Sequence, residues 1–392
     1  MTELPARGYR VDWLIQAEEH CRSAYVKQIH GGFAYIGAKD TGRGRLRRIR
    51  KHVQNYLNAC KMFGLTKQND YDLLQAKDNY FAAIVGLLVA RLRRIPFFYW
   101  IAYPRPEASI YEAKAGMARY PLLYRLRGHF LKVLLYRVIL PGANHVFVQS
   151  EQMKRDLASE GISIEKMTPI PSSVNLESIP YKNAKNTNSI YQKGKVRWII
   201  YLGTLKRVRR LEIIIRSFAK VMSIKSDVNL IVMGKGDEEA DLEFLKNEAK
   251  SLGISGSVHF TGHIDMSDAW EYVRQADVCL SPYYPTRILQ STSPTKLVEY
   301  MAMGKAVVAN DHPEQSLVIE ESQCGICVPW DENLFAQAIV EILDSPEMAA
   351  KMGDRGRKYI EQYRTNAVMG DLVEDRYRQV LQSAEIGSPG RH

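Results

Sequence analysis

Residues 291–310 read STSPTKLVEYMAMGKAVVAN and predict a helix followed by a buried strand. Pro294 stands where a first-turn proline is tolerated, and the serine and threonine before it are residue types that cap helices well. The helix is expected to run into Met303 and to stop at Gly304, because glycine is favoured just after a helix. The apolar residues that follow form a strand, so this stretch predicts an α/β fold.

The N-terminus of this helix is a candidate phosphate site. Its first backbone N–H groups have no partner inside the helix and lie at the positive end of the helix dipole. Glu299, one to two turns along, can face the same site, where a carboxylate suits the two hydroxyls of a ribose. The bare residues are equally compatible with an ordinary α/β helix that carries a solvated glutamate.

Strands and helices alternate on both sides of this stretch, which is typical of parallel sheets covered by helices. We predict two such domains, residues 1–179 and 196–365, joined by the polar linker PYKNAKNTNSIYQKGK at residues 180–195. A C-terminal helix and tail, residues 366–392, is expected to pack back on the first domain. In such sheets ligands bind beyond the carboxyl ends of the strands, which is where the candidate motifs lie.

Charge divides the chain unevenly. Residues 1–190 contain 29 Lys and Arg against 15 Asp and Glu, a net charge of +14, whereas residues 191–392 contain 25 against 28, a net charge of −3. The first half therefore indicates an anionic partner: nucleic acid, a phospholipid surface or a phosphorylated substrate. Apolar residues at 46% exclude wholesale disorder, and five scattered cysteines exclude a disulfide-stapled secreted scaffold.

No segment has the length of a transmembrane helix. The uninterrupted apolar stretches are short, and residues 82–90, for example, number nine, against the roughly 20 needed to cross a bilayer. Residues 1–16 lack the layout of a signal peptide. We therefore expect a cytoplasmic protein that lies peripherally on the inner face of the cytoplasmic membrane.

The positive charge of the first half concentrates in residues 43–51, 91–94 and 119–137. Basic residues interleaved with Leu, Tyr and Phe on a helix are typical of an interfacial element that rests on anionic lipid. For any one segment, a core helix with solvated arginines explains the pattern as well. Nucleic-acid binding is the competing class, but the sequence contains no recognised module of that kind, and we expect no nucleic-acid partner.

Four further motifs accompany the opening stretch: YLGTLKRVRRLE at residues 201–212, MGKGD at 233–237, VHFTGHI at 258–264 and ADVCLSP at 276–282. In this order they resemble the family 4 retaining glycosyltransferases of the bacterial polysaccharide-biosynthesis type. The resemblance covers residues 196–365 well. The first half is looser and matches through YDLLQAK, IPFFYWIAYP, ANHVFVQSE and IPSSVN.

The resemblance implies the GT-B fold, in which two Rossmann-like, doubly wound parallel-sheet domains face each other across a cleft. It implies a hexosyltransferase that moves a sugar from a nucleoside diphosphate-sugar to a lipid-linked or saccharide acceptor with retention, without a metal or other cofactor. A polyprenyl diphosphate carrier and cell-surface polysaccharide or glycolipid synthesis are the implied setting. The alternatives are another GT-B enzyme of nucleotide-sugars, such as an epimerase, or a non-catalytic partner of a transferase.

The resemblance assigns the donor diphosphate to basic residues of the first motif. Gly203 and Leu205 match the family pattern, Thr204 replaces its arginine, and Arg209 falls at the position of its lysine. Arg209 is therefore the first candidate for binding the diphosphate and stabilising the charge that develops as it departs, with Lys206 in reserve.

The second family pattern is a pair of glutamates with the spacing E-x7-E. Glu299 matches the second glutamate and is implied to hold the donor ribose. Ser291 stands at the first, which in the family touches the transferred sugar, so the sugar is not identified. Asp311, Glu314 or the backbone amide of Thr295 could substitute, and the residues do not choose among them.

Further candidates lie beside this site and in the first domain. Around the nucleotide we expect Pro294, Thr295 and Lys296 at the helix N-terminus, Gly234 in a tight turn and His263 near the base. A lone histidine is more often structural, so its assignment stays open. In the first domain Glu107, in the loop YPRPE, is the candidate for contacting the sugar or the acceptor, in a region where the family often has a histidine.

Two motifs are interpreted as incidental. Asp70 and Asp72 have the Asp-x-Asp spelling of metal-dependent transferases, but they open a predicted buried strand and are better explained as strand-edge residues. Cys324 and Cys327 have the spacing of a redox pair but flank a strand-like turn, and no His/Cys cluster has zinc spacing.

The first domain departs from the family at its start. The sequence Arg7-Gly8-Tyr9 comes almost at once, where the resemblance implies a preceding strand and glycine-rich loop. We therefore expect a first domain that lacks its first strand.

Overall fold

The structure is a computed structural model that describes residues 3–386 except 20, 40–46, 117, 119 and 180–195. It divides into two units, Met1–Ile170 together with Met369–His392, and Pro171–Val368. Each unit carries its own parallel sheet, as the alternation of strands and helices predicts. The predicted linker lies outside the described residues.

The second unit contains six parallel strands in the order β10-β9-β8-β11-β12-β13. Its strands are β8 (Arg197–Leu202), β9 (Val228–Met233), β10 (Val258–Gly262), β11 (Val278–Ser281), β12 (Val307–Asn310) and β13 (Gly325–Val328). This is the order of a doubly wound Rossmann-like sheet, and its direction reverses between β8 and β11. The central strands are buried on both faces, which explains their continuous apolar runs.

Helices cover both faces of this sheet. They are α8 (Glu212–Ile224), α9 (Glu239–Ser251), α10 (Met266–Gln275), α11 (Arg287–Gln290), α12 (Thr295–Ala302), α13 (Pro313–Ser322), α14 (Glu332–Asp344) and α15 (Pro346–Tyr363). One core packs α8 and α14 through Phe218 and Phe335, and the other packs α12 and α15 through Tyr300 and Ile360. The predicted helix after Pro294 is α12, and its last residues run into Gly304, which has a positive φ of 68°.

The first unit contains two sheets. A four-stranded parallel sheet has the order β4-β5-β6-β7, and a separate three-stranded sheet has the order β1-β3-β2. The strands are β1 (Trp13–Gln16), β2 (Tyr25–Ile29), β3 (Gly32–Gly37), β4 (Leu74–Lys77), β5 (Phe97–Ile101), β6 (His145–Val148) and β7 (Met167–Pro169). The hairpin of β2 and β3 was not predicted, because its short strands lack the long apolar run that marks the buried strands.

The first unit also contains α-helices on both sides of these strands in the sequence. They are α1 (Glu3–Ala6), α2 (Arg47–Gln68), α3 (Tyr80–Arg93), α4 (Arg105–Lys114), α5 (Pro121–Leu134), α6 (Leu140–Gly142) and α7 (Glu151–Ser159). The helical region from α4 to α6 is not one continuous helix. Gly116 adopts a left-handed φ of 72° between α4 and α5, and a π-helical turn at Leu135–Ile139 separates α5 from α6.

The C-terminal helix α16 (Asn366–Ile386) contacts the start of the chain within the first unit. Arg7 forms ion pairs with Asp371 and with Glu374, the latter at 2.9 Å. Tyr377 donates a hydrogen bond from its hydroxyl to Gln75 Oε1 at 2.7 Å. In the described parts of the chain, no helix is both long and apolar enough to span a bilayer.

Candidate active site

The candidate site of the second unit lies where the strand order reverses. Three loops that follow β8, β9 and β10 are joined there by backbone hydrogen bonds. Gly203 N–H donates to Met233 O at 2.9 Å, Leu205 N–H to Lys235 O at 2.9 Å, and Gly234 N–H to Gly262 O at 2.9 Å. These bonds extend the sheet past its strands and fix the loops on which the predicted site residues stand.

Two predicted glycines are required by close approach. A Cβ on Gly234 would lie 1.8 Å from the carbonyl oxygen of Gly203, and Gly234 has a φ of +134°. A Cβ on Gly203 would lie 1.9 Å from Cε of Lys296. The space that glycine leaves at position 203 is therefore filled by the Lys296 side chain.

Lys296, in the first turn of α12, is the most deeply buried cation of the site, with 9% of its surface exposed. Its Nζ lies 5.4 Å from the ring centre of Tyr201 and 5.5 Å from that of Tyr283. Burial, helped by the nearby charge of Arg209, lowers the pKa of Lys296 to about 7. Among the described residues, no carboxylate lies within ion-pair distance of Nζ.

Arg209 ends a 3-10 turn, Arg207–Arg209, that follows β8. Its guanidinium carbon lies 5.4 Å from the ring centre of Tyr283, and its Nη1 is buried without a hydrogen-bond partner among the described residues. A buried donor of a charged group is costly when it is left unsatisfied. The structure therefore places an unsatisfied cationic donor beside Lys296, as an anion site requires.

Glu299 lies three residues after Lys296, and residues at that spacing share a helix face. Burial raises the pKa of the Glu299 carboxyl, while the charge of Lys296 acts in the opposite direction. No hydrogen bond to this carboxylate is found in the described part of the chain. Helix α12 therefore carries a buried lysine in its first turn and a carboxylate one turn later, and the assignment of a phosphate and a ribose to them stays a prediction.

The first turn of α12 has no side-chain cap. Pro294 occupies the N-cap position without a capping bond. Ser293 Oγ instead accepts from Ser172 N–H at 2.9 Å, and the hydroxyl of Thr292 donates to Leu289 O at 2.6 Å. The expectation that one of these hydroxyls caps the helix is wrong, because each is taken by another partner. The first N–H groups of α12 consequently remain open to a ligand.

Ser172 was not among the residues predicted from the sequence. Its hydroxyl donates to Ser293 O at 3.0 Å and lies 3.2 Å from Oγ1 of Thr295. Thr295 itself is exposed at the helix start. The available signal was the motif IPSSVN, which contains Ser172 but carries no local pattern that points to a helix 121 residues away.

The loop that carries Tyr283 is fixed by Asn310, the last residue of β12. Tyr283 N–H donates to Asn310 Oδ1 at 2.6 Å, and Asn310 Nδ2 donates back to Tyr283 O at 2.8 Å. His312 Nε2 lies 2.8 Å from Leu289 O in the same loop. These buried side chains position the aromatic wall of the site, and none of them was assigned from the sequence.

The reserve cation and the base-pocket candidate are both more exposed. Lys206 Nζ forms an ion pair with Asp237 at 2.9 Å, and both side chains are largely in solvent. His263 is exposed after β10. The structure thus brings Arg209, Lys296 and Gly203 together around Tyr283 and leaves Lys206 paired at the surface.

Ser291, which stands at the position of the missing glutamate, and the two carboxylates considered as its substitutes have different surroundings. Ser291 Oγ, at the position of that glutamate, donates to Arg287 O at 3.0 Å inside α11. Glu314 forms a buried ion pair with Arg364 at 2.9 Å. Asp311 is exposed after β12. Of the two carboxylates, Asp311 is the one that no ion pair holds in the described part of the structure.

In the first unit, Glu107 lies in the first turn of α4, so its placement in a loop is wrong. Tyr136, in the π-helical turn, donates its hydroxyl to Glu107 Oε1 at 3.0 Å. Glu107 Oε2 is buried without a partner among the described residues, and burial raises the pKa of this carboxyl. A buried carboxyl next to a π-helical turn is an arrangement often found at functional sites.

The motifs interpreted as incidental have ordinary surroundings. Asp70 and Asp72 lie before β4, at the amino end of the sheet. Burial raises the pKa of the Cys324 thiol to about 11, which keeps it protonated, and Cys327 Sγ lies 3.4 Å from Ser316 Oγ. Over the described residues, no group of three or more His, Cys, Asp and Glu could hold a metal ion.

Comparison with known families accounts for both halves of the chain. Residues 1–172 match the glycosyl transferase 4-like domain, and residues 183–359 match glycosyl transferases group 1. Each half of the chain thus belongs to a glycosyltransferase domain family. The chain is similar in structure to sucrose-phosphate synthase from Thermosynechococcus elongatus, with a TM-score of 0.74, 18% identity, and coverage of 97% of this chain and 91% of that one.

Another similar structure is that of Anabaena Alr3699/HepE in complex with UDP and glucose. Its TM-score is 0.63 at 17% identity, and the match covers 89% of this chain and 87% of that one. Together the two structures show that the glycosyltransferase has the GT-B fold.

The curated relatives match this chain over only part of their own length. Alpha-monoglucosyldiacylglycerol synthase of Streptococcus pneumoniae is 23% identical over 303 residues, which are 75% of this chain and 64% of that protein. Phosphatidyl-myo-inositol mannosyltransferase of Mycolicibacterium smegmatis is 26% identical over 206 residues, 52% of this chain and 50% of that protein. The glycosyltransferase thus matches about half to two thirds of the length of these relatives.

Proposed function

We propose that this glycosyltransferase transfers a hexosyl group, with retention, from a nucleoside diphosphate-sugar to a lipid-linked or saccharide acceptor in cell-surface polysaccharide or glycolipid synthesis. The observation that carries the proposal is the pairing of the buried Lys296 with the half-buried Arg209, whose Nη1 is buried without a partner among the described residues, at the reversal of strand order beside a helix N-terminus without a side-chain cap. A diphosphate has the negative charge and the hydrogen-bond acceptor oxygens that these cationic N–H donors require as partners.

The donor is proposed to lie across this site. Its diphosphate binds Arg209, Lys296 and the first N–H groups of α12, and its ribose hydroxyls bind the Glu299 carboxylate. The bond between the anomeric carbon and the phosphate oxygen breaks, and the leaving diphosphate takes the electron pair. An acceptor hydroxyl oxygen forms the new bond to the anomeric carbon on the same face, and its proton passes to the leaving phosphate oxygen. Fixed positive groups stabilise this developing charge, so the proposal requires no metal ion. The UDP and glucose in the HepE structure are consistent with this donor class.

The acceptor is proposed to reach the first unit from a membrane surface. Helix α5 packs against α4 through Gly128, where a Cβ would lie 3.0 Å from Pro106 O. Its other side exposes Leu122, Leu126 and Phe130, with 72%, 60% and 67% of their surfaces in solvent. The arginines at positions 125 and 127 are also exposed on this helix. An apolar stripe with basic neighbours fits a helix lying in the headgroup region of anionic lipid.

A lipid-linked acceptor agrees with the names of the curated relatives, which refer to a glucosyldiacylglycerol and to phosphatidyl-myo-inositol. Glu107 is proposed to contact the acceptor or the transferred sugar, since its Oε2 has an unused acceptor position. With these assignments, the protein is proposed to lie peripherally on the inner face of the cytoplasmic membrane.

The experiment is a thermal-shift screen of nucleoside diphosphate-sugars, followed by transfer assays with lipid-linked acceptors. We expect one nucleotide-sugar to raise the melting temperature and its sugar to appear on the acceptor with the anomeric configuration of the donor. Epimerised donor without transfer favours the epimerase alternative. A protein that binds none of the nucleotide-sugars contradicts the proposed donor site.

A further inference from the structure

Lys296 is unusual because it is a buried lysine beside a second cation. An ammonium group that loses its water without gaining a carboxylate is strongly disfavoured. The Lys296 side chain is buried with 9% of its surface exposed, and its end occupies the gap at Gly203, where a Cβ would lie 1.9 Å from its Cε. Glycine at position 203 therefore leaves the space in which this lysine is buried.

The charged and titratable groups facing Lys296 come from four elements. Tyr201 of β8 and Tyr283 after β11 contribute rings, and burial raises the pKa of both phenols, which keeps them neutral. Arg209 of the 3-10 turn contributes a positive charge, and Glu299 of the same helix contributes the only carboxylate among the described groups that act on Lys296. The rings attract a cation weakly, while burial and Arg209 favour the neutral amine.

We propose that Lys296 is a neutral amine while the donor site is empty and takes up one proton when a nucleoside diphosphate binds, so that donor binding is coupled to protonation of this side chain. The inference rests on the proposed function, because the ligand that drives it is the donor diphosphate. The proton comes from solvent and bonds to the Nζ lone pair, and it returns to solvent when the nucleotide leaves.

The coupling has a physical advantage for turnover. The empty site avoids two adjacent buried positive charges, and the second charge forms when two phosphates arrive to balance it. The proton returns to solvent as the nucleoside diphosphate product leaves, and the empty site regains its neutral amine. Lys296 thus acts on binding and release of the nucleotide, in addition to neutralising its charge.

The pH dependence follows from a pKa of about 7 for Lys296 in the empty site. Below that pH the lysine is already charged and binding takes up no proton. Above it, uptake approaches one proton per nucleotide, and the observed affinity falls by up to about tenfold per pH unit. Proton uptake is therefore expected to be near zero at about pH 6 and near one at about pH 8.5.

The same group has a signature in stability that needs no ligand. Its folded pKa, about 7, lies below the value of about 10.4 for an unfolded lysine. Between these two pKa values the unfolded chain therefore binds more protons than the folded chain. The free energy of unfolding of the wild type consequently rises with pH in that window. Lys296→Met should have a higher melting temperature than the wild type at about pH 7, with a difference that narrows toward about pH 10.

The test is calorimetric titration with UDP-glucose and GDP-mannose, whose diphosphates carry no group that titrates in this range. Each pH is measured in two buffers of different ionisation heat, so that the difference in binding heat gives the number of protons taken up. The wild type should take up close to one proton at about pH 8.5. Lys296→Arg, which stays charged, and Lys296→Met should take up none. Lys206→Met, which removes an exposed lysine of the same site, should retain the uptake.

The outcomes separate the two proposals. Binding without proton uptake by the wild type, or with undiminished uptake by Lys296→Met, overturns the role of Lys296 and leaves the donor site standing. The difference in melting temperature between Lys296→Met and the wild type needs no ligand to measure. If it does not change with pH, the proposal that Lys296 is neutral in the empty site is overturned. Failure of both nucleotide-sugars to bind at every pH, with the pH-dependent stability difference present, contradicts the proposed function instead.

Discussion

The proposed donor site of the second unit and the surface of helix α5 in the first unit both offer positive charge, but in opposite ways. The half of the sequence from residue 191 has a net charge of −3, and its candidate site combines the buried Lys296 with the half-buried Arg209. The first half has a net charge of +14, and the arginines of α5 are exposed. Buried charges act strongly and are little screened, whereas exposed charges act through number and weaken with salt.

The contrast indicates two kinds of anion. A diphosphate of fixed shape suits a few donors in fixed positions, such as Arg209 beside the ring of Tyr283. A lipid surface has no fixed shape, and it suits many exposed charges around an apolar stripe. Net charge alone therefore points to the first half, for which we propose a membrane contact, and gives no sign of the proposed donor site in the second half.

The largest effect is expected at the proposed donor site of the second unit. Arg209→Ala and Glu299→Ala should each reduce donor affinity on the order of 100-fold, because charge-assisted hydrogen bonds in a buried site are lost. Titration calorimetry with the nucleotide-sugar found in the screen measures this. Arg210→Ala is the matched control, since Arg210 is exposed and paired with Glu212 at 3.4 Å. Normal affinity in either site variant would show that the site is misassigned.

Vesicle binding tests the exposed apolar and basic surface of helix α5. Leu126→Asp combined with Phe130→Asp should reduce binding to anionic vesicles by at least about tenfold, because two apolar side chains can no longer be buried. Ile224→Asp is the control, an exposed apolar residue in the second unit. Raising salt from about 0.05 M to about 0.5 M should release the wild type from vesicles and change donor affinity far less. Equal salt sensitivity of both would remove the distinction between the two regions.

Substitutions at two glycines of the proposed donor site are expected to have different effects, one on donor affinity and the other on folding stability. Gly203→Ala should lower donor affinity by about fivefold, because its Cβ displaces the end of the Lys296 side chain. Gly234→Ala meets the backbone of Gly203 and should instead lower stability by about 1–3 kcal/mol. Calorimetry and thermal unfolding measure the pair. Gly256→Ala, with nothing within 4 Å of its Cβ, should change neither.

The smallest effect is expected at Lys206. Its ion pair with Asp237 is exposed to solvent, and such pairs contribute about 0–1 kcal/mol. Lys206→Ala should therefore reduce donor affinity no more than about fivefold. A loss as large as that of Arg209→Ala, measured in the same titration, would mean that the exposed lysine binds the diphosphate.

The helices and strands were predicted from the sequence more fully than the contacts between their residues. The apolar runs of β8, β11 and β12 and the end of α12 near Gly304 are local patterns, and these elements formed as predicted. Gly203 and Lys296 were named by motif, but their mutual contact depends on two loops that meet in space. Ser172 and Asn310 act through partners far along the chain, and no local pattern reveals such a partner.

The central claim is that the donor diphosphate lies between Arg209, Lys296 and the start of α12. A crystal structure with the bound nucleoside diphosphate tests it most directly. We expect phosphate oxygens about 3 Å from Lys296 Nζ, an Arg209 nitrogen and a first-turn N–H of α12, with the ribose on Glu299. A nucleotide bound elsewhere, with Lys296 and Arg209 free of phosphate, would contradict it.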